Sequence, residues 1–162
     1  MTKSSYLSGG AILGAAMIGG ALFGTQALAA TDKATIVNLT QIGCQFLESE
    51  NNVDHGYKPM SAEDCKQINA KSSMARLDKA KILKLKPGKY IFRVTNKNVP
   101  YQLGFWLRDK EYSSFKPWLQ SVSGGGLNKG VTRDYEITLK AGSEYLYSCP
   151  LNPTPDYKIV VQ

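Results

Sequence analysis

Residues 82–96 read ILKLKPGKYIFRVTN and residues 140–153 read KAGSEYLYSCPLNP. In the first stretch, Lys89 to Thr95 alternates apolar and polar side chains behind a Pro87-Gly88 turn, the period-2 pattern of a half-buried strand. In the second, Ala141-Gly142 turns the chain into another short strand, Ser143–Ser148. Outward from these, Ala34–Ile42, Ile82–Leu85, Tyr101–Leu107, Thr132–Leu139 and Asp156–Val161 carry strand signals, and Gly124-Gly125-Gly126 reads as a mobile loop. Short strands joined by Pro-Gly or Gly turns predict an all-β sandwich or barrel. There is no internal repeat, and no alternation of long helices with strands that would indicate a parallel sheet.

One segment breaks the pattern. Residues 43–73 hold Cys44, the acids Glu48, Glu50 and Asp54, and the chain's one histidine, His55. Ser61 with Asp64 three residues on predicts a capped short helix over about 62–70. The segment reads as an irregular insertion in a β domain.

The N-terminus predicts export. Residues 4–30 contain no charged side chain, Lys3 stands before them, and an apolar run (Ala11 to Phe23) leads through a polar break to Ala-Leu-Ala at 27–29. That is the order of a secretory signal, cut after Ala29 or Ala30. The run is rich in Gly and Ala and shorter than the roughly 20 apolar residues a membrane span needs. The expectation is a leader at 1–30 and a single soluble domain at 31–162, placed in the periplasm. All thirteen acids and nineteen of the twenty Lys and Arg follow the leader. A basic exported domain suits solubility and weak steering toward an acidic partner or an anionic surface. The lysines are scattered rather than clustered, which argues against nucleic acid.

Three cysteines follow the leader: Cys44, Cys65 and Cys149. In an oxidising compartment at most one pair forms, and one thiol is left over.

Residues 82–96, the loop Asn96-Lys-Asn-Val-Pro100 entering the next strand, and the closing run through Cys149-Pro150 together resemble the cupredoxin family. There a Tyr-rich strand ends in a copper-ligating cysteine. The resemblance implies a Greek-key β-sandwich with a short helical, cysteine-containing insertion at about 43–73. It also marks departures. A blue-copper site uses two imidazoles, a thiolate and a weak axial thioether. Tyr101 stands at the first histidine position, Leu151, Asn152 and Pro153 stand where the second would be, and no methionine follows Met74. The chain is more similar to the histidine-poor cupredoxin-like domains of EfeO-type periplasmic iron-uptake proteins, in which two cysteines and carboxylates converge at the top of the sandwich. Cys44, with Glu48 four residues on, and Cys149 match the two cysteine positions, although residues 96–108 supply no acid.

The resemblance places Cys149 and Cys44 in a candidate metal set, which Glu48 and, if folded over the pole, His55 would complete, taking copper or iron. For the cysteines two pairings stay open: Cys44–Cys65, closing the insertion, or Cys44–Cys149, joining residues at one pole. His55, between Asp54 and Gly56, is either a solvated turn residue or a ligand folded over the pole. Tyr101, Phe105, Trp106, Tyr145 and Tyr147 read as packing residues, and Trp118 beside Pro117 as a docking surface. No Ser/His/Asp set, metal-hydrolase spacing or phosphate-cradling loop is present, so the reading is non-enzymatic. The leading expectation is an exported protein handling a transition metal in periplasmic metal uptake or redox support, with a membrane transport or redox partner. The alternatives are a metal-free interaction module and an electron carrier with non-standard copper ligands.

Overall fold

The computed structural model describes residues 33–162, so the leader read at 1–30 lies outside the described residues. Nine strands, β1 Thr35–Ile42, β2 Gln45–Phe46, β3 Leu83–Leu85, β4 Gly88–Asn96, β5 Leu103–Asp109, β6 Ser121–Leu127, β7 Thr132–Leu139, β8 Glu144–Ser148 and β9 Tyr157–Val161, form two mixed sheets. The first runs β2-β1-β4-β7 and the second β3-β9-β8-β5-β6. β1 lies parallel to β4, and β3 parallel to β9; all other pairings are antiparallel. The chain crosses to the second sheet for β3 and returns for β4, then changes sheets between β4 and β5, between β6 and β7, and again between β7 and β8. This is the expected all-β sandwich.

The two inner faces make one core. From the first sheet come Leu39, Phe92, Val94, Tyr135 and Ile137; from the second come Phe105, Leu107, Tyr145, Tyr147, Tyr157 and Ile159. β4 buries every second residue from Tyr90 to Asn96, as its sequence alternation requires. Each fully buried large side chain contributes about 1.5–3 kcal/mol of transfer free energy. Rings interlock across the sandwich: Phe46 meets Phe105, Tyr147 and Tyr157 edge-on at 6.0, 5.5 and 5.8 Å. Of the aromatics read as packing residues, Phe105, Tyr145 and Tyr147 are core. Trp106 is not: it sits half-buried on the outer face under the Arg108 guanidinium, 4.0 Å from its ring.

Three local expectations need correction. The glycine run 124–126 lies in strand β6, not a loop, and at Gly124 and Gly126 the space a side chain would need is taken. A Cβ on Gly124 would stand 3.0 Å from the Tyr135 ring, and one on Gly126 would stand 2.9 Å from the Arg133 guanidinium. Strand β5 begins at Leu103 rather than Tyr101: the Tyr101 carbonyl accepts from Asn96 Nδ2 at 3.3 Å, and its hydroxyl is held toward Ser61 O and Asn152 Oδ1 at 3.1 and 3.0 Å. The helix α1 runs Ala62–Leu77, a further two turns past Ala70. Its start is as read: the Ser61 side chain accepts from Asp64 N–H, and the Asp64 carboxylate accepts from Ser61 N–H. Its second half has no apolar stripe and is held instead by Arg76, which reaches inward to Glu50.

Candidate functional site

The closing loop brings Cys149, the insertion and the Asn96–Tyr101 loop to one pole of the sandwich. Cys44 and Cys65 are joined as a disulfide with Cα atoms 5.1 Å apart. Of the two open pairings, the one closing the insertion is the one formed. Cys149 is the free thiol and is buried. Its sulfur accepts two backbone hydrogen bonds, from Gly104 N–H at 3.4 Å and Asn152 N–H at 3.1 Å. Burial pushes the Cys149 thiol up, and the N–H groups of Gly104, Asn152 and Leu151 oppose that shift without cancelling it. The thiol is therefore held in its neutral form, which is neither the nucleophile nor the metal ligand.

Asn152 occupies the middle of the pole and is wholly buried. Its Oδ1 accepts from Cys44 N–H at 3.3 Å and lies 3.0 Å from the Tyr101 hydroxyl. Its Nδ2 donates to Ile42 O at 3.1 Å. The Cys65 sulfur touches the same Oδ1 at 2.9 Å. Asn152 thus ties the end of β1, the disulfide, the Tyr101 loop and Cys149 into one knot. Desolvation, with smaller contributions from Cys149 and Asp64, pushes the Tyr101 hydroxyl up to about 12, so it stays a proton donor.

The remaining candidate residues go elsewhere. Glu48 Oε2 accepts from Thr40 N–H at 2.7 Å, bracing the end of β1. His55 Nε2 lies 2.6 Å from Glu50 Oε2, so its carboxylate partner is Glu50 and not Glu48. Cys44 is committed to the disulfide. Among the described residues, no three of His, Cys, Asp and Glu come together as a metal-holding group. The set Cys149, Cys44, Glu48 and His55 is spread over the pole and the insertion rather than convergent.

Two features escaped the sequence. Gln41, wholly buried, donates Nε2 to Gly104 O at 2.8 Å, and its Oε1 is a buried polar atom without a hydrogen-bond partner among the described residues. Glu50 is the hub of a buried polar cluster. It receives Arg76 Nη2 at 2.6 Å, Arg76 Nε at 3.0 Å, the Tyr157 hydroxyl and His55. Burial alone would raise the Glu50 carboxyl, but the contacts from Arg76, Tyr157 and His55 win and hold it below its ordinary value. The signal for Arg76 was weak: one arginine late in a helix, with its partner 26 residues away.

The donor set can be tested against a copper centre. Such a centre takes two imidazoles and a thiolate in a trigonal plane with a weak axial ligand. The pole offers a neutral thiol and the amide oxygens of Asn152 and Gln41, and the single histidine is engaged with Glu50. The residues present do not fit.

No protein-family model matches the chain, and no curated protein matches it in sequence. Among solved structures, that of auracyanin B, a cupredoxin, is similar to it at 11% identity over 80% of this chain and 89% of that one, with a TM-score of 0.49. Among the described residues no helix is long and apolar enough to cross a membrane.

Proposed function

We propose that this chain is an exported, non-enzymatic interaction module on a cupredoxin-like scaffold, metal-free in its working state. The observation that supports it is Asn152, which fills the pole and spends its amide on Cys44, Tyr101 and Ile42. Export rests on the leader read at 1–30 and on a disulfide of a kind that persists outside reducing compartments. Docking to a periplasmic or membrane partner is supported by Phe115 and Trp118, which are 87% and 68% exposed in the β5–β6 connection.

A second reading is metal handling, copper or iron, as in the EfeO-type likeness. It is favoured by one observation: Cys149 is left unpaired at the pole, and Gly104 links it to Gln41, whose buried Oε1 has no hydrogen-bond partner among the described residues. Titrating Cu(I), Cu(II), Zn(II) and Fe(II) into the isolated protein, with calorimetry and visible absorption, separates the two. The module reading expects no binding tighter than millimolar and no intense thiolate-to-copper band. One equivalent bound at micromolar affinity and lost in Cys149→Ser would replace it with the metal reading.

A further inference from the structure

A second site lies in the insertion, away from Cys149 and independent of the reading above. Residues 51–55 and the C-terminal half of α1 enclose a cleft of about 560 Å³, within the size range of small-molecule sites. One wall is the last turns of α1, carrying Lys71 and Ala75, and the turn that follows the helix, carrying Lys79. Val53, 52% exposed, stands on the other.

The walls are braced at a fixed spacing. At the floor, Arg76 and His55 grip the Glu50 carboxylate. At one end Asn51 Nδ2 donates to Lys79 O at 2.8 Å, and Lys81 N–H donates to Ser49 O at 2.8 Å. Asn51 and Asn52 are both left-handed, at φ 55° and 63°, a conformation asparagine tolerates better than most residues. They turn the wall back toward the helix, so the cleft exists before anything enters it.

The unspent charge in the cleft is positive. Glu50 is the only acid lining it, and its oxygens are taken by Arg76, Tyr157 and His55. Lys71 and Lys79 belong to none of the ion pairs among the described residues. Lys71 stands on α1 and Lys79 in the turn after its end, and both line the cleft together with Ala75. We infer that the cleft binds a small organic dicarboxylate, each anionic end met by one lysine ammonium and the apolar middle laid over Ala75 and Val53.

Octanedioate is the probe, titrated into the isolated protein by calorimetry and by backbone-amide NMR shifts. The expected result is saturable binding with shifts confined to residues 50–55 and 71–79. Lys71→Gln and Lys79→Gln should each weaken it about fivefold, as loss of one exposed charge contact would. Octanoate, with one charge, should bind about fivefold more weakly than octanedioate, and neutral octanediol more weakly still. Both lysines are exposed, and an unchanged thermal midpoint confirms that the variants fold. Octanedioate binding no tighter than octanediol, binding unaltered in the Lys71→Gln/Lys79→Gln double variant, or shifts mapping elsewhere would overturn the inference.

Discussion

The backbone N–H of Asn152 points at the sulfur of Cys149 from 3.1 Å, while the Asn152 side chain turns the other way to hold Cys44, Tyr101 and Ile42. One residue thus closes the pole in both directions. Asn152→Ala would leave the buried Cys44 N–H without its side-chain partner and take the amide donor away from Ile42 C=O, and a buried group left unsatisfied costs about 1–3 kcal/mol. The expected loss is about 3 kcal/mol in urea denaturation at unchanged m-value. A loss below about 1 kcal/mol would show that water or a neighbour replaces the amide without cost.

Cys149 and the disulfide make separable predictions. The thiol is 1% exposed and neutral, so a thiol reagent should find none reactive in the native protein and one after unfolding. Replacing both Cys44 and Cys65 by Ser opens a loop with a sequence separation of 21, and the chain-entropy estimate for such a loop is about 3 kcal/mol. A native protein that titrates rapidly for one thiol would contradict the buried placement of Cys149.

Much of the sandwich was legible because side-chain alternation is a local property. Thr132–Leu139 was bounded to the residue from TRDYEITL, whose inward positions Tyr135, Ile137 and Leu139 are the apolar ones. The glycine run was not legible. Gly124 and Gly126 have no side chain to alternate; pairing with β5 makes them a strand, and Tyr135 and Arg133 arriving from the other sheet take the space a side chain would need. The second half of α1 failed for a related reason: its anchor is one polar contact, Arg76 to Glu50, invisible to hydrophobic periodicity. At the pole, sequence placed Cys44 and Cys149 near one another through the family likeness. It passed over Asn152 as a missing histidine, because a fully used amide looks in sequence like any loop asparagine.

The Glu50 cluster should set the acid limit of stability. Glu50 is held below its ordinary value of 4.5, so its contribution is fully present above that value and is lost as pH falls through the lowered one. Glu50→Gln should flatten the acid limb of the stability curve below about pH 4.5. Arg76→Ala should be more damaging at neutral pH, by about 3–5 kcal/mol, because it strands a buried carboxylate. If both variants retain the wild-type acid limb, the titration arises elsewhere.

A close approach of two backbones in the second sheet supplies a test with its own control. A Cβ on Gly104 would stand 2.9 Å from the carbonyl oxygen of Gly124, a backbone atom fixed in the β5–β6 pairing, which can move only if the strand moves. Gly104 also gives its N–H to Cys149 and its carbonyl to Gln41, so a shift there disturbs the pole as well. On the neighbouring strand, a Cβ on Gly125 meets nothing nearer than 3.8 Å, and its backbone lies outside the set with left-handed φ. Gly104→Ala should therefore cost about 2 kcal/mol, in the range for overpacking a fixed site. Gly125→Ala should stay within about 0.5 kcal/mol of wild type or stabilise slightly, since alanine has fewer unfolded conformations to lose. Chemical denaturation of the two variants checks both numbers. With Gly104→Ala the Cys149 thiol should also become reactive in the native state, as the N–H that holds its sulfur is displaced. Equal stabilities for the two variants would mean that β5 and β6 are not pressed together at Gly104, and that the glycines there answer to something other than the close approach of two backbones.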